Sequence, residues 1–379
     1  MKYFVQTDQD CARGPRATAA QQARRGRHNG PKSGQLKKPK AIDLFSGCGG
    51  LTLGLKRAGF QVVGAVEIDS LAAETYAVNH PEVFVWPQDI RKLTAPQILK
   101  QLGIKRGDLD LLAGCPPCQG FSAMRRLNGG RRVRDTQNDL VFDFLRLVRS
   151  LRPKAIMMEN VPGLADNARF PKLKAALRRL GYTVNAAVKD AQHYGVPQRR
   201  RRFILLAGRG AEIPFGKTAR RARTVRETFA KLTKLLAKRD PLHNLPETRS
   251  EKVKQIIQRI PKDGGSRLDM GVEHQLDCHR KCDGFKDVYG RMAWDAVAPT
   301  ITGGCCNPSK GRFLHPAKNR TITLREAALL QTFPPNYFFS LERGKFPAAQ
   351  MIGNALPPEF IRRHAREVIK FLSDNEPET

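Results

Sequence analysis

The sequence predicts an α/β fold, in which a doubly wound and mostly parallel sheet carries helices on both faces and adjoins a second, smaller and irregular domain. Two observations carry this prediction. From Lys40 onward, short apolar stretches alternate with helical periods, as in sheets built from strand–helix–strand units. Between about 226 and 340 the alternation stops, and the chain becomes irregular and rich in Gly, Pro, Lys and Arg. We therefore expect ligands at the carboxyl ends of the strands, where such sheets bind them.

The individual elements follow from the apolar pattern. Strands are expected at residues 41–45, 62–67, 83–86, 110–113, 155–159 and 203–207. Helices are expected at 51–58, 70–79, 95–102, 140–150 and 170–180, with a last one at 358–372.

The charge of the chain indicates the class of partner. The formal net charge is +32, from 67 basic and 35 acidic residues. Self-repulsion of this size destabilises a compact protein unless a polyanion usually accompanies it. Nucleic acid is the commonest such partner, because neutralised phosphates release condensed counterions. A solvated basic surface and a basic membrane-binding face are the alternatives, and composition does not separate DNA from RNA.

Other bulk features exclude some classes of protein. The apolar runs are too short to span a bilayer, and the N-terminus lacks the apolar stretch of a secretory signal, so we expect neither membrane insertion nor export. The 8 cysteines do not resemble the disulfide framework of a small secreted domain. We expect a reducing, cytoplasmic location.

The first residues form a basic segment. Residues 1–40 contain ten Lys and Arg against Asp8 and Asp10, with little apolar periodicity. We predict a disordered basic arm over residues 1–39, which is either a non-specific DNA tether or an unused solvated tail.

A glycine-rich segment, Asp-Leu-Phe-Ser-Gly-Cys-Gly-Gly at 43–50, ends the first strand and opens a helix. Glycines there let the backbone approach a nucleotide, and the helix start presents free N–H groups. Glu67 ends the next strand, where a carboxylate accepts hydrogen bonds from ribose hydroxyls, and Asp89 follows the third, within reach of an adenine amino group. A glycine-rich turn without function is the alternative. Thr52 occupies the place of a third glycine, which disfavours a nicotinamide dinucleotide.

A cysteine-containing segment, Gly-Cys-Pro-Pro-Cys-Gln-Gly-Phe-Ser at 114–122, follows the fourth strand and therefore faces the ligand crevice. Cys115 and Cys118 have the spacing of a redox pair, but the short thioredoxin-like context is missing. They also resemble half of a zinc site, but the sequence contains no second Cys-x-x-Cys.

Charged residues stand at the ends of two further strands. Glu159 closes a buried strand, where a carboxylate is costly unless it is paired or functional. Four arginines at 199–202 enter the last strand, and alternation directs Arg200 and Arg202 to one face. A run of arginines is by itself most often a solvated face.

Six motifs together carry a resemblance to a known family. They are Asp-Leu-Phe-Ser-Gly-x-Gly-Gly at 43–50, Pro-Pro-Cys-Gln at 116–119, Glu-Asn-Val at 159–161, Gln-x-Arg-x-Arg at 198–202, Arg-Glu-Ala-Ala-x-Leu-Gln-x-Phe-Pro at 325–334 and Gln-x-Ile-Gly-Asn-Ala-Leu-Pro-Pro at 350–358. In this order they resemble the motif set of the DNA cytosine-5 methyltransferases, over residues 41–370. The resemblance implies the fold of S-adenosylmethionine-dependent methyltransferases. It also implies a catalytic and cofactor-binding domain at 40–225, a target-recognition domain at 226–340 and a segment at 341–379 that returns to the first domain.

The resemblance implies catalytic roles that the chemistry supports. Cys118 matches the nucleophile that adds to C6 of cytosine, and Cys115 does not. Glu159 matches the residue that hydrogen-bonds N3 and the exocyclic amine. Arg202 matches the residue that binds O2, with Arg200 beside it. Because C6 is inaccessible in a stacked pair, the base must flip out of the helix.

The same match implies two sets of binding residues. The S-adenosylmethionine set is Phe45, Ser46, Gly47, Cys48, Gly49, Gly50, Leu51, Glu67, Ile68, Asp89, Ile90, Pro117, Asn354 and Leu356. The DNA set is Gln119, Ser122, Arg125, Arg126, Arg131, Arg132 and Thr302, mostly in a loop expected to close over DNA. In that loop Gln137-Asn138 stands where the family often has Arg-Asn, which affects loop closure or a phosphate contact.

Two other functions are weighed against this one. RNA cytosine methylation belongs to a branch with a Cys-Phe-Thr signature, which this sequence lacks. A non-catalytic DNA-binding module has no use for Cys118, Glu159 and Arg202 together. We expect a monomeric, bacterial, nucleoid-associated enzyme of restriction–modification or solitary type, acting on double-stranded DNA, with a cognate restriction endonuclease acting separately if one exists. No metal is expected, although a zinc cluster at His274, Cys278, His279, Cys282, Cys305 and Cys306 is an alternative.

Overall fold

The computed structural model describes residues 38–117, 139–275 and 287–375. Seven strands form one sheet: β1 Lys40–Leu44, β2 Gln61–Val66, β3 Phe84–Trp86, β4 Leu111–Gly114, β5 Ala155–Asn160, β6 Tyr182–Asp190 and β7 Arg201–Arg209. Their order is β3-β2-β1-β4-β5-β7-β6. The first five strands are mutually parallel, whereas β7 runs antiparallel to both β5 and β6. The predicted α/β class and the mostly parallel sheet are confirmed.

Eleven α-helices lie in the described ranges. They are α1 Gly50–Ala58, α2 Ser70–Asn79, α3 Ala95–Leu102, α4 Leu140–Leu151, α5 Arg169–Arg179, α6 Val225–Phe229, α7 Lys234–Arg239, α8 Glu251–Arg259, α9 Leu324–Leu330, α10 Lys345–Asn354 and α11 Pro358–Asp374. The predicted helices and strands differ from these bounds by at most two residues. The strand β6 was not predicted.

Apolar side chains pack on both faces of the sheet, as the doubly wound prediction requires. One core joins Ile42 and Leu112 of the sheet to Phe144 of α4 and Leu177 of α5. The opposite core joins Ala113 to Leu55 of α1 and to the inward face of α11. Side chains that point to opposite faces of one strand therefore enter different cores.

The irregular region builds a third core at the start of α1. Cys48 packs there with residues of α9 and α10 and with the buried pair Cys305 and Cys306. A fourth, smaller core gathers around α8 and Leu314. The division of the chain at residues 226 and 341 stays a prediction.

Several predictions concern residues outside the described ranges. These are the basic arm up to residue 37, the loop residues Cys118, Gln119, Ser122, Arg125, Arg126, Arg131, Arg132, Gln137 and Asn138, and three members of the zinc alternative, Cys278, His279 and Cys282. Of the other three, His274 contacts Arg259, and Cys305 and Cys306 are free thiols in the third core. No helix in the described ranges has the length and apolar character needed to cross a membrane.

Candidate active site

The carboxyl ends of the parallel strands bring the sequence-predicted residues to one edge of the sheet. Leu44 pairs with Val66 on one side and with Gly114 on the other, and Gly114 pairs with Met158. The segments that follow β2, β1 and β4, and the end of β5, are consequently neighbours. This edge is the candidate active site.

The glycine-rich segment turns sharply between β1 and α1. Gly49 has φ +93°, in the left-handed region, and a Cβ there would lie 2.6 Å from both His80 Nε2 and the Tyr337 hydroxyl. Tyr337 donates a hydrogen bond of 2.6 Å to the carbonyl of Cys48, which fixes the turn from outside. Only glycine combines this backbone conformation with this close packing. The turn is therefore constrained by residues almost 290 positions away in the sequence.

Glu67 and Ile68 lie beside this turn. The N–H of Gly47 donates to Glu67 Oε2 at 2.7 Å, and the N–H of Asp69 donates to Oε1 at 2.9 Å. Burial raises the pKa of Glu67, and these hydrogen bonds counteract part of the rise. The next side chain, Ile68, is 66% exposed. A half-buried carboxylate next to an exposed apolar side chain suits a nucleoside, because the carboxylate can accept hydrogen bonds from hydroxyls and the apolar side chain can pack against the ring.

The other residues of the predicted cofactor set occupy different environments. Asp89 caps a short 3₁₀ turn and binds the guanidinium of Arg91, which lowers the pKa of its carboxyl. Asn354 is exposed and accepts a hydrogen bond of 3.1 Å from Gln350. Phe45, Gly47 and Pro117 are half-buried, whereas the side chains of Ser46, Cys48, Leu51, Ile90 and Leu356, and the glycines Gly49 and Gly50, are buried. The buried members shape the site through their backbone and packing.

Asp43 is a buried residue of the motif that sequence reasoning did not single out. Its Oδ2 accepts hydrogen bonds from the Thr52 N–H at 3.1 Å and the Thr52 hydroxyl at 2.7 Å. Its Oδ1 has no hydrogen-bond partner within the described residues. Burial raises the pKa of Asp43 to about 7, and Glu67 adds to the rise. In the sequence, the only signal for this buried carboxylate is its position at the head of the glycine-rich motif.

Glu159 and Arg202 form an ion pair at the end of β5. Oε1 of Glu159 lies 2.8 Å from Nε of Arg202, and Glu159 is only 6% exposed. Burial raises the pKa of Glu159, and Arg202 and then Arg200 counteract the rise. The thiol of Cys115 also interacts with Glu159, and burial with this neighbouring carboxylate raises the pKa of Cys115 well above its usual range. Cys115 is therefore held as a neutral thiol.

The segment before Cys118 is fixed next to this pair. Asn160 donates a hydrogen bond of 2.9 Å from Nδ2 to the carbonyl of Pro116. The N–H of Cys115 donates to the carbonyl of Leu44 at 3.2 Å. The chain is thus anchored two residues before Cys118.

Arg200 has a different environment from Arg202. The predicted alternation is confirmed, since Arg200 and Arg202 turn inward while Arg199 and Arg201 are exposed. Arg200 is 2% exposed, and its guanidinium donates to three carbonyls, those of Ile301 at 2.8 Å, Gly353 at 3.0 Å and Ala355 at 3.1 Å.

Two buried glutamines extend this network. Gln198 donates from Nε2 to Gln331 Oε1 at 2.7 Å and accepts from the N–H of Ile301 at 3.1 Å. Gln331 donates to the carbonyl of Ile352 at 2.6 Å. Thr302, the described member of the predicted DNA set, follows Ile301, is half-buried and packs its backbone against Gly353. The network therefore joins the arginine strand, the segment at 301–302 and the end of α10 that carries Asn354.

The comparisons with known proteins decide the family. The model of the C-5 cytosine-specific DNA methylases matches residues 39–370. The chain belongs to this family. It is similar to the type II methylase M.HgiDII of Herpetosiphon aurantiacus, with 36% identity over 349 residues, 87% of this chain and 95% of that one. The type II methyltransferase M1.HphI of Haemophilus parahaemolyticus is 33% identical over 343 residues, 88% of this chain and 87% of that one.

Solved structures share the fold of this DNA methyltransferase. A prophage-encoded DNA modification methyltransferase of E. coli has a TM-score of 0.68 and 23% identity, and covers 89% of this chain and 100% of its own. A mutant of the Spodoptera frugiperda protein DNMT2 has a TM-score of 0.59 and 16% identity, over 88% of this chain and 100% of its own. The predicted family, its restriction–modification type and the DNA cytosine-5 methyltransferase activity are confirmed by the family and the relatives. The family in general uses S-adenosylmethionine as methyl donor and DNA as substrate.

Proposed function

We propose that this methyltransferase methylates C5 of a cytosine flipped out of double-stranded DNA at a specific site, through a covalent bond between Cys118 Sγ and C6. The observation that carries the proposal is the buried Glu159–Arg202 pair, at 2.8 Å, beside the anchored Pro116 that leads into Cys118. An acid and a guanidinium side by side match the N3 and O2 edge of cytosine, which offers two neighbouring acceptors.

The reaction follows from the poor nucleophilicity of C5. The Cys118 thiolate adds to C6 while N3 receives a proton, so that the ring becomes an enamine with a nucleophilic C5. S-adenosylmethionine, when bound, supplies an electrophilic methyl group. C5 takes up this methyl group, its proton leaves to water or hydroxide, and N3 returns its proton to Glu159. β-Elimination breaks the bond between Sγ and C6, restores the Cys118 thiolate and releases methylated cytosine. The base must leave the helix for these steps, because a stacked pair hides C6.

Glu159 and Arg202 divide the work on the base that Cys118 attacks. Glu159, whose pKa burial raises, is suited to hold a proton and donate it at N3. Arg202 donates to O2 and balances the charge that develops on the ring. Cys115 stays protonated beside Glu159, which supports Cys118 rather than Cys115 as the nucleophile.

The described cofactor residues fit S-adenosylmethionine. The Glu67 carboxylate, held by two backbone N–H groups, is placed to accept hydrogen bonds from ribose hydroxyls. Ile68 offers an exposed apolar surface to the adenine ring, and Asp89 a carboxylate to its amino group. At Gly47 of the glycine turn a Cβ would meet no atom within 4 Å, which is open space for the amino-acid end of the cofactor. Asn354 is exposed on the segment that Gln331 fixes.

We assign Arg200 a positioning role within this proposal. Its guanidinium already donates to the carbonyls of Ile301, Gly353 and Ala355, so it orients the cofactor-side segment and Thr302 rather than the base. DNA contacts by Thr302 and by the arginines of the loop after Cys118, a monomeric and nucleoid-associated state, and a separately acting restriction endonuclease remain predictions.

The experiment that tests the proposal uses duplex DNA with 5-fluorocytosine at the target. Fluorine at C5 is not removed as a proton is, so β-elimination fails and Cys118 stays bonded to C6 after methyl transfer. We expect a denaturation-resistant adduct that needs S-adenosylmethionine for full yield, with the same site unmodified as control. An active enzyme that forms no adduct would refute the covalent route, and labelled methyl transferred to RNA rather than DNA would refute the substrate.

A further inference from the structure

A basic pocket lies outside the candidate active site, and none of its lining residues belongs to the predicted catalytic or cofactor sets. It has a volume of about 230 Å³ and lies between the end of α1, the start of α11 and the residues around α6. Arg57, Arg223 and Lys231 line it, together with Glu359, Thr332 and the aromatic ring of Phe333. We call this set the basic pocket.

The protein offsets the positive charges of the basic pocket only in part. Neither Arg223 nor Lys231 has an ion-pair partner in the parts of the chain that the structure describes, and Arg57 donates only to the carbonyl of Thr332, at 3.2 Å. The nearby Glu227 is already bound by Arg221. Three cations therefore face one cavity whose lining contains a single carboxylate, that of Glu359.

The single carboxylate of the lining offsets only part of this positive charge. Glu359 accepts hydrogen bonds from Arg362 at 2.6 and 2.8 Å and from Arg363 at 3.2 Å. Two cations thus already share its charge. The surroundings of the basic pocket stay strongly positive.

The proximity of the cations is unfavourable without a ligand. Burial lowers the pKa of Lys231, and Arg223 and Arg57 lower it further by repulsion. Burial also lowers the pKa of Arg57. Thr332, a β-branched residue of the same lining, has φ +69°, a strained backbone conformation that such residues rarely adopt. A multivalent anion in the cavity would relieve the repulsion.

We propose that the basic pocket binds a phosphate group. Two guanidinium groups and an ammonium around one cavity match the several oxygens and the double charge of phosphate better than the single charge of a carboxylate. A cavity of about 230 Å³ is large enough for a phosphate or a short polyphosphate. The group can come from the DNA backbone or from a free polyphosphate, and the experiment separates these sources.

The first arm measures binding of inorganic tripolyphosphate by titration calorimetry at low salt. The test protein is the full chain with Arg223→Gln and Lys231→Gln, which leaves Arg57 and Glu359 in their structural contacts. The control carries Lys172→Gln and Arg178→Gln, an equal loss of charge at exposed positions of α5. We expect affinity about tenfold lower in the pocket variant, as for the loss of charge-assisted hydrogen bonds, and less than about twofold lower in the control.

The second arm measures binding of a non-target duplex over a series of salt concentrations. If the phosphate belongs to DNA, the slope of log K against log salt becomes shallower by about two in the pocket variant, and by less in the control. If it belongs to a free polyphosphate, only the first arm changes. Pocket and control variants that behave alike in both arms would overturn the proposal. Should the double variant melt at a lower temperature, Lys231→Gln against Lys172→Gln repeats the comparison.

Discussion

Replacing Glu159 by Gln is the sharpest test of the proposed chemistry. The change keeps the size of the side chain and removes the negative charge that lies 2.8 Å from Arg202 Nε. We expect the rate of methyl transfer to fall by about 10²–10⁴-fold, the usual contribution of a general acid. This corresponds to about 3–5 kcal/mol of transition-state stabilisation, at about 1.4 kcal/mol per tenfold. The free energy of unfolding should fall by roughly 3 kcal/mol. This is the lower end of the range for a buried ion pair that loses one partner, because Arg202 keeps some contact with solvent.

The assay is single-turnover transfer of labelled methyl to saturating DNA, repeated over a range of pH. Because burial raises the pKa of Glu159, the proton on this carboxyl persists to higher pH than on an exposed Glu. The wild-type rate should therefore fall as pH rises through this raised pKa, and the fall should be missing in the Glu159→Gln variant. Glu212→Gln, at an exposed position, is the control and should keep both the rate and the pH profile.

A second variant separates the lost proton from the unpaired arginine. Adding Arg202→Gln removes the unpaired charge and should restore much of the lost free energy of unfolding. Because Arg202 binds O2 in the proposal, the double variant should be no faster than Glu159→Gln alone. A faster double variant would show that the unpaired arginine, and not the lost proton, slows Glu159→Gln. A Glu159→Gln variant within about threefold of the wild-type rate, with the same pH profile, would refute the assignment, because a general acid contributes far more.

Five other substitutions test separate parts of the site. Cys118→Ser should abolish methyl transfer but leave DNA binding in a mobility-shift assay, whereas Cys115→Ser should stay active; the reverse result would exchange their roles. The pKa of Asp43 rises from 3.8 in the unfolded chain to about 7 in the fold, so the unfolding free energy of the wild type should fall by up to ~1.4 kcal/mol per pH unit as the pH rises from about 4 to 7. Asp43→Asn should abolish this fall, as measured by urea titration. Gly49→Ala places a Cβ 2.6 Å from His80 and should weaken S-adenosylmethionine binding about tenfold by calorimetry, since ~1.4 kcal/mol of strain in the turn corresponds to a tenfold change in affinity. An unchanged affinity would show that the turn is not part of the cofactor site. Arg200→Lys should lower the urea-unfolding free energy by ~2–4 kcal/mol, because a lysine lacks the fork that reaches three carbonyls; unchanged stability would contradict the positioning role.

The sequence predicted six of the seven strands because each carries a compact apolar signal. The missed strand, β6, lies at the edge of the sheet next to β7, and most of its residues are half-buried. An edge strand with both faces partly exposed shows neither the strict alternation of a strand with one buried face nor the continuous apolar run of a central strand. The antiparallel direction of β7 was likewise absent from the pattern, since periodicity reports the faces of a strand and not its direction.

The candidate site was predictable where function depends on the ends of strands. Glu67 and Glu159 stand at the carboxyl ends of strands that parallel pairing brings to one edge. Arg202 stands at the start of β7, and the antiparallel pairing of β7 with β5 brings it to the same edge. The contacts that hold them are of another kind. Gln198 bonds to Gln331 across 133 positions, and Tyr337 to the Cys48 carbonyl across 289. No local period encodes such pairs, so a single sequence does not reveal them.

Arg200 and Arg202 show most clearly where the pattern stops being informative. Alternation correctly turns both side chains inward, and their residue type is the same. Their partners differ, because the carbonyls of residues 301, 353 and 355 converge on Arg200, whereas Arg202 meets the carboxylate of Glu159. The three carbonyls occupy the two terminal nitrogens of the Arg200 guanidinium and hold it deep inside the fold, while an ion pair at the sheet edge can exchange one acceptor for another. The division of labour between two identical side chains is thus set by backbone that arrives from more than 100 residues away.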